Sequence, residues 1–161
     1  MSKPIDTRAF VHRVQPYWAD ADPAGILYTG RFTDFSLRAI DAWMQDRAGA
    51  GFYGTNVDWG IGTPFVRTEC DISASVTPRD VLLIGVRVET IGATSLTFRV
   101  EGLIESDGRA SFKGRFICVC VEGAMQADKP RAIPIDARLK AAAEADLALH
   151  GAAGRLLETQ T

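Results

Sequence analysis

Between Arg31 and Gln45 the apolar residues recur at steps of three and four, and there are too many of them for one face. Phe32, Phe35, Ser36, Ala39, Ile40 and Trp43 form the stripe of a helix, and Leu37 and Met44 widen it. A helix apolar over so broad an arc is more than a surface helix with one buried stripe; it calls for a sheet that wraps it. Thr29 or Gly30 is placed to cap its start, and Gly49 and Gly51 lie just past its end. The rest of the chain must supply the wrapping.

The flanking segments read as strands. Residues 10–18 form one, confined by Pro16 to an edge or a strand end. In residues 65–72, Val66, Thr68, Cys70 and Ile72 face one way and Arg67, Glu69 and Asp71 the other. Pro78-Arg79-Asp80 is a turn into residues 81–91, where Leu82, Ile84, Val86 and Val88 share a face. After Gly92, Leu96, Phe98 and Val100 alternate with Thr97, Arg99 and Glu101. Ser106-Asp107-Gly108 carries a hairpin signal into residues 109–121, where Phe112, Phe116, Cys118 and Cys120 alternate with Lys113 and Arg115. Period-two alternation with one polar face means antiparallel strands over a single core. A second helix runs from about Asp136 to Leu149, with Leu139, Ala142, Ala143 and Leu147 as its stripe, Asp136 as N-cap and Gly151 as its terminator. Strand, long helix, four strands and short helix make an α+β domain with one sheet packed on one helix. At 161 residues the chain has room for one such domain, residues 1–150, with residues 151–161 as a loose tail.

Composition removes several classes of function. Lys plus Arg is 18 and Asp plus Glu is 20, so no basic field exists to hold a nucleic-acid backbone. No apolar run approaches the roughly 18 residues of a membrane span, and the first residues lack a signal peptide's apolar stretch, so a cytoplasmic chain is expected. Three cysteines, Cys70, Cys118 and Cys120, suit a reducing compartment and read as free buried thiols. His12 and His150 are far apart, and neither has a nucleophile beside it. Gly60-Ile61-Gly62 lacks the third glycine of a dinucleotide fingerprint, and no Gly-x-Ser-x-Gly elbow occurs. Asp20 with Asp22 is too sparse an oxygen set for Mg²⁺, so neither metal nor cofactor is expected.

Residues 18–30, Trp-Ala-Asp-Ala-Asp-Pro-Ala-Gly-Ile-Leu-Tyr-Thr-Gly, hold the chemistry. Two carboxylates stand just before the start of the long helix. A helix N-terminus offers free N–H groups and partial positive charge, which polarise a carbonyl and stabilise an oxyanion. A carboxylate beside that spot attacks the carbonyl or activates a water. The same spacing also suits a purely structural role, with Asp20 and Asp22 capping the helix and complementing its charge.

Asp-x-Asp-Pro-Ala-Gly-Ile-Leu-Tyr before an aromatic-rich helix resembles the hotdog-fold acyl-CoA thioesterases, and most closely the 4-hydroxybenzoyl-CoA thioesterase-like family. Gly62-Thr63-Pro64, Pro78-Arg79-Asp80 and Arg131-Ala132-Ile133-Pro134 extend the similarity over about residues 10–135. The resemblance implies a five-stranded antiparallel sheet wrapped around the long helix. It implies a homo-oligomer, two sheets joined edge to edge and often paired again into a tetramer, with active sites at the subunit interface. It makes Asp22 the nucleophile or general base, places the oxyanion contact on the backbone of Thr29 with Gly30 beside it, and leaves Asp20 a structural role.

The family's helix Asp that meets a ring hydroxyl is matched here by Leu37. A pocket lined by Leu37, Ile61 and neighbouring aromatics, with Thr63 beside it, suits an unsubstituted benzoyl or another apolar acyl group. The family's three consecutive basic residues for the CoA phosphates are matched by Gly92-Ala93-Thr94, which leaves Lys113, Arg115, Lys129 and Arg131 as candidates. The expected activity is hydrolysis of an aromatic acyl-CoA, without metal or redox cofactor. A short- or medium-chain aliphatic acyl-CoA, or binding without turnover, are the alternatives.

Overall fold

The computed structural model describes residues 10–123 and 128–150. The long helix is present and exceeds the expected span: α1 runs Thr29–Ala48, 20 residues. Neither Thr29 nor Gly30 caps it. Tyr28 is the N-cap, without a side-chain bond, and both residues lie inside the first turn. The boundary is set by backbone instead: Tyr28 N–H donates to the Asp20 carbonyl at 2.9 Å, and Arg31 N–H donates to the Tyr28 carbonyl at 2.9 Å. Gly49 ends the helix with φ +92°, a left-handed conformation that costs glycine least. Two residues on, a Cβ on Gly51 would stand 2.4 Å from Asp41 Oδ1 and 3.3 Å from the Asp41 carbonyl. That close approach lets Phe52 N–H donate to Asp41 Oδ1 at 2.5 Å. It starts a short helix the sequence reading missed, α2, Phe52–Val57.

The strands are β1 (Phe10–Val14), β2 (Ile61–Gly62), β3 (Phe65–Ile72), β4 (Leu82–Ile91), β5 (Ser95–Ile104), β6 (Ala110–Val119) and β7 (Val121–Glu122). Five form one antiparallel sheet in the order β1-β4-β5-β6-β3, and β2 pairs with β7 in a ribbon that the sequence reading also missed. This is the expected α+β hotdog architecture. The apolar faces of β4, β5 and β6 close on Phe32, Phe35, Ala39, Ile40, Trp43 and Met44 of α1, all buried. Trp43 and Phe98 meet edge to face at 5.2 Å, and so do Phe32 and Phe112 at 5.3 Å. Ser36 is buried without cost to the polar count because its Oγ donates to the Phe32 carbonyl at 2.7 Å.

The last helix, α3, is Ala137–His150, packed beside α1 and β4. Leu139, Ala142 and Ala143 are buried as expected, but Leu147 is only half-buried and Asp146 takes the inward position. Asp136 accepts from Arg138 N–H at 2.9 Å, consistent with its capping role. Gly151 and the expected tail lie outside the described residues.

The strand 65–72 departs from the expected alternation. A bulge between Phe65 and Arg67 leaves Val66 65% exposed and turns Phe65 to the core, where it meets Phe52 at 5.7 Å and Phe116 at 6.4 Å. From Thr68 onward the register restores the expected face, Thr68, Cys70 and Ile72 opposite Phe116, Gly114 and Phe112, but only Cys70, beside Thr33 of α1, is half-buried; Thr68 and Ile72 stay exposed. β3 is an edge of the sheet, and Val66 and Ile72 leave it an exposed apolar one. Among the described residues, no helix is long and apolar enough to cross a membrane.

Candidate active site

The Asp22 loop is a small hairpin closed by an antiparallel bridge between Ala21 and Leu27. Asp22 N–H donates to the Ile26 carbonyl and Gly25 N–H to the Asp22 carbonyl, each at 2.9 Å. Gly25 sits at φ +79°. Pro23 pre-sets the turn, Gly25 takes its left-handed residue, and Asp22 Oδ1 accepts Ala24 N–H at 2.8 Å. Local turn chemistry thus accounts for Asp-Pro-Ala-Gly, and it leaves Asp22 Oδ2 as the carboxylate's second oxygen on a half-buried residue.

The hairpin is tied to the helix start by Asp20. Its Oδ2 accepts Tyr17 N–H at 2.8 Å, its Oδ1 lies 3.2 Å from Arg31 Nε, and its carbonyl holds Tyr28. Asp20 is therefore spent on structure. Leu27 N–H donates to the Val76 carbonyl at 2.7 Å, which fixes the hairpin to the chain leaving β3. Thr29 and Gly30 present the first turn of α1 in exposed positions next to this loop. Tyr17, Trp18 and Tyr28 surround it, 79%, 79% and 58% exposed. Trp18 is thus a surface residue, whereas Trp43 is core and Trp59 lies under the Arg138 guanidinium, 3.6 Å from its ring centroid.

The other expected residues gather at the opposite end of α1. Gly49–Gly51 and α2 follow the helix C-terminus, and Phe52 reaches Phe65 there. Ile61 is buried in the core at 6% exposure. Thr63 lines a groove of about 340 Å³ walled by Phe52, Phe65, Val121 and Pro130, with Asn56 on its rim. Neither Asn56 nor Phe52 was singled out from the sequence; the groove joins four separate stretches of chain. Exposed Lys129 and Arg131 flank Pro130, and Arg131 Nη2 lies 2.8 Å from Glu122 Oε2. Twenty residues of helix, about 30 Å, separate this end from Asp22 within one chain. Leu37 lies between, half-buried against the core.

Lys113 and Arg115 belong elsewhere. They lie on the sheet face turned away from α1, in a depression shared with Glu69, Asp71, Arg99 and Glu101. There Arg99 and Arg115 each donate to Glu89 at 2.6 Å. Burial pushes the Glu89 carboxyl up, but the bonds from Arg115 and Arg99 outweigh it and hold it below the usual glutamate value. Burial pushes the Cys118 thiol up to about 12, which fits an inert core thiol. His12 on β1 is held below its usual value by burial and by Arg38.

The chain matches the Thioesterase-like superfamily over residues 16–143. Among solved structures it is similar to a thioesterase-superfamily protein from Jannaschia sp. CCS1, at 37% identity over 91% of this chain and 98% of that one, with a TM-score of 0.76. It shares its fold with a 1,4-dihydroxy-2-naphthoyl-CoA thioesterase from Synechocystis, at 19% identity over 83% and 94% of the two chains, TM-score 0.74. It does so too with 4-hydroxybenzoyl-CoA thioesterase from Pseudomonas sp. strain CBS-3, at 21% identity over 84% and 99%, TM-score 0.75. No curated protein matches it.

Proposed function

Because the chain belongs to the thioesterase-like superfamily, as an acyl-CoA thioesterase of the hotdog fold, we propose that its substrate is an aromatic, benzoyl-type CoA thioester and that Asp22 carries the reaction. The observation behind this is the hairpin that holds Asp22 half-buried beside the first turn of α1. Thr29 and Gly30 N–H groups there meet the thioester oxygen as it becomes an oxyanion. The Asp22 carboxylate either adds to the carbonyl carbon, expelling the CoA thiolate and leaving an anhydride that water opens, or takes a proton from the attacking water. Either way one water is consumed, and the acid and CoA thiol leave.

The aromatic acyl group fits the apolar groove at the Phe65 end, and that groove lies at the wrong end of the same chain's helix. A second copy resolves this. β3 runs from Phe65, beside α2, to Ile72, whose continuation at Val76 touches Leu27 of the Asp22 hairpin. Pairing β3 antiparallel with its own copy sets one protomer's groove beside its partner's Asp22. The exposed Val66 and Ile72 on that edge, and Tyr17, Trp18 and Tyr28 by the hairpin, support a dimer there, with a dimer of dimers as its extension. Lys129 and Arg131 flank the groove mouth and suit the CoA phosphates. A cytoplasmic chain is consistent with this chemistry.

The test is thiol release from benzoyl, hydroxybenzoyl, phenylacetyl and C4 to C12 aliphatic CoA esters, with wild type beside Asp22→Asn. Aryl turnover that falls at least about 100-fold in the variant is expected. Near-full activity of Asp22→Asn removes Asp22 from the reaction. Aliphatic esters winning by orders of magnitude in kcat/KM removes the aromatic reading.

A further inference from the structure

The groove is apolar except at two side chains, Thr63 and Asn56. Phe52 and Phe65, edge to face at 68°, and Val121 give an aromatic ring its walls. Asn56 belongs to α2, one turn beyond Phe52. Its Nδ2 donates to the Phe52 carbonyl at 2.8 Å. A carbonyl only accepts, so the amide's nitrogen must be the group on that side. Asn56 lines the groove, and with Nδ2 engaged by Phe52, Oδ1 is the acceptor it has to offer a ligand there. The amide is held by the bond to Phe52, whose own N–H donates to Asp41 at the start of α2 at 2.5 Å. The Thr63 hydroxyl both donates and accepts, so it does not discriminate between ligand groups.

We propose that Asn56 selects the acyl group, its Oδ1 accepting a hydrogen bond from a hydroxyl on the aromatic ring seated in the groove. The proposal rests on the aromatic-thioesterase reading and narrows it to hydroxylated rings. An unsubstituted ring against Asn56 strips water from an amide oxygen and returns nothing, whereas a hydroxylated ring satisfies it. An acceptor fixed before the ligand arrives makes that difference larger.

The experiment measures binding apart from turnover. Phenacyl-CoA and its 3- and 4-hydroxy derivatives, thioethers that cannot be hydrolysed, are titrated calorimetrically into wild type, Asn56→Leu and Asn56→Ala, and the matching thioesters are assayed alongside. Wild type is expected to bind one hydroxylated analogue about tenfold more tightly than phenacyl-CoA. Both variants are expected to lose that preference and to hold phenacyl-CoA at least as tightly as wild type does, because no amide oxygen is then stripped of water. Asn56→Ala only removes atoms, so it carries the test if the leucine disturbs α2. Absence of a preference in wild type, its survival in both variants, or equal weakening of every analogue overturns the assignment. Should no thioester turn over while the Asn56-dependent preference persists, the catalytic reading falls and the selectivity of the groove stands.

Discussion

Trp43 is tied to Asp146 across the core: the indole Nε1–H donates to Asp146 Oδ1 at 3.1 Å. The other oxygen, Oδ2, accepts Val88 N–H at 2.7 Å. Val88 lies past Phe10↔Val86, the last pair between β1 and β4, and beside a bulge before Thr90. Asp146 thus serves a β4 N–H just beyond the described β1 pairing, and locks α1, β4 and α3 together. Asp146→Ala should cost about 2–4 kcal/mol in urea unfolding, since two buried donors lose their acceptor. Asp146→Asn should cost less, because an amide oxygen still serves one of them. A loss under about 0.5 kcal/mol for the alanine would reject this lock.

Asp20 and Asp22 should separate cleanly. Asp20→Asn removes the charge facing Arg31 but keeps an acceptor for Tyr17 N–H. It should lower stability by about 1 kcal/mol and turnover by less than about tenfold. Asp22→Asn should keep the melting temperature near wild type and lose turnover at least about 100-fold. Comparable kinetic losses at both positions would show that the pair acts as one unit.

The edge strand offers a test of association. Val66 is exposed in the single chain, so Val66→Lys should leave its fold intact. Antiparallel pairing sets each introduced lysine against the apolar Ile72 end of the partner strand, where an ammonium stripped of water should block association, giving a monomer by light scattering and a loss of turnover. A Val66→Lys protein that stays dimeric and active places the interface elsewhere.

Glu89 carries a pH prediction. Burial raises its folded carboxyl, but the bonds and charges of Arg115 and Arg99 together outweigh this and hold it below the ordinary 4.5. The unfolded chain therefore binds the proton first as the pH falls. The contribution of the pairing is complete above about 4.5 and disappears as pH drops through the lower folded value. Stability should decline with acid below about pH 4.5, and Glu89→Gln should flatten that decline. Parallel curves for the two proteins would mean that Glu89 contributes nothing there.

What the sequence made legible follows from physics that acts locally. The breadth of the apolar arc in α1 announces a wrapped helix, and period-two alternation announces the four long strands. The Asp-Pro-Ala-Gly turn is readable because each residue serves its own position in it. Val66 misled because a bulge shifts register without changing composition. Six residues of α2 are too few to show a helical period, and their start depends on Asp41, eleven residues before Phe52. Asp146 was hidden because a stripe counted from apolar residues passes over a buried carboxylate. The groove was hidden because Phe52, Thr63 and Val121 are brought together only by the tertiary fold.

The direction of β3 has a consequence for when this protein works. In the proposed reaction a single chain carries both Asp22 and the groove, yet keeps them apart at the two ends of one helix. If the proposed pairing builds the site, encounter with a second copy creates catalytic capacity, and rate per chain should climb with protein concentration and level off once pairing is complete. On that pairing, heavily diluted chains are expected to lose activity, and the amount of protein present becomes a control on it.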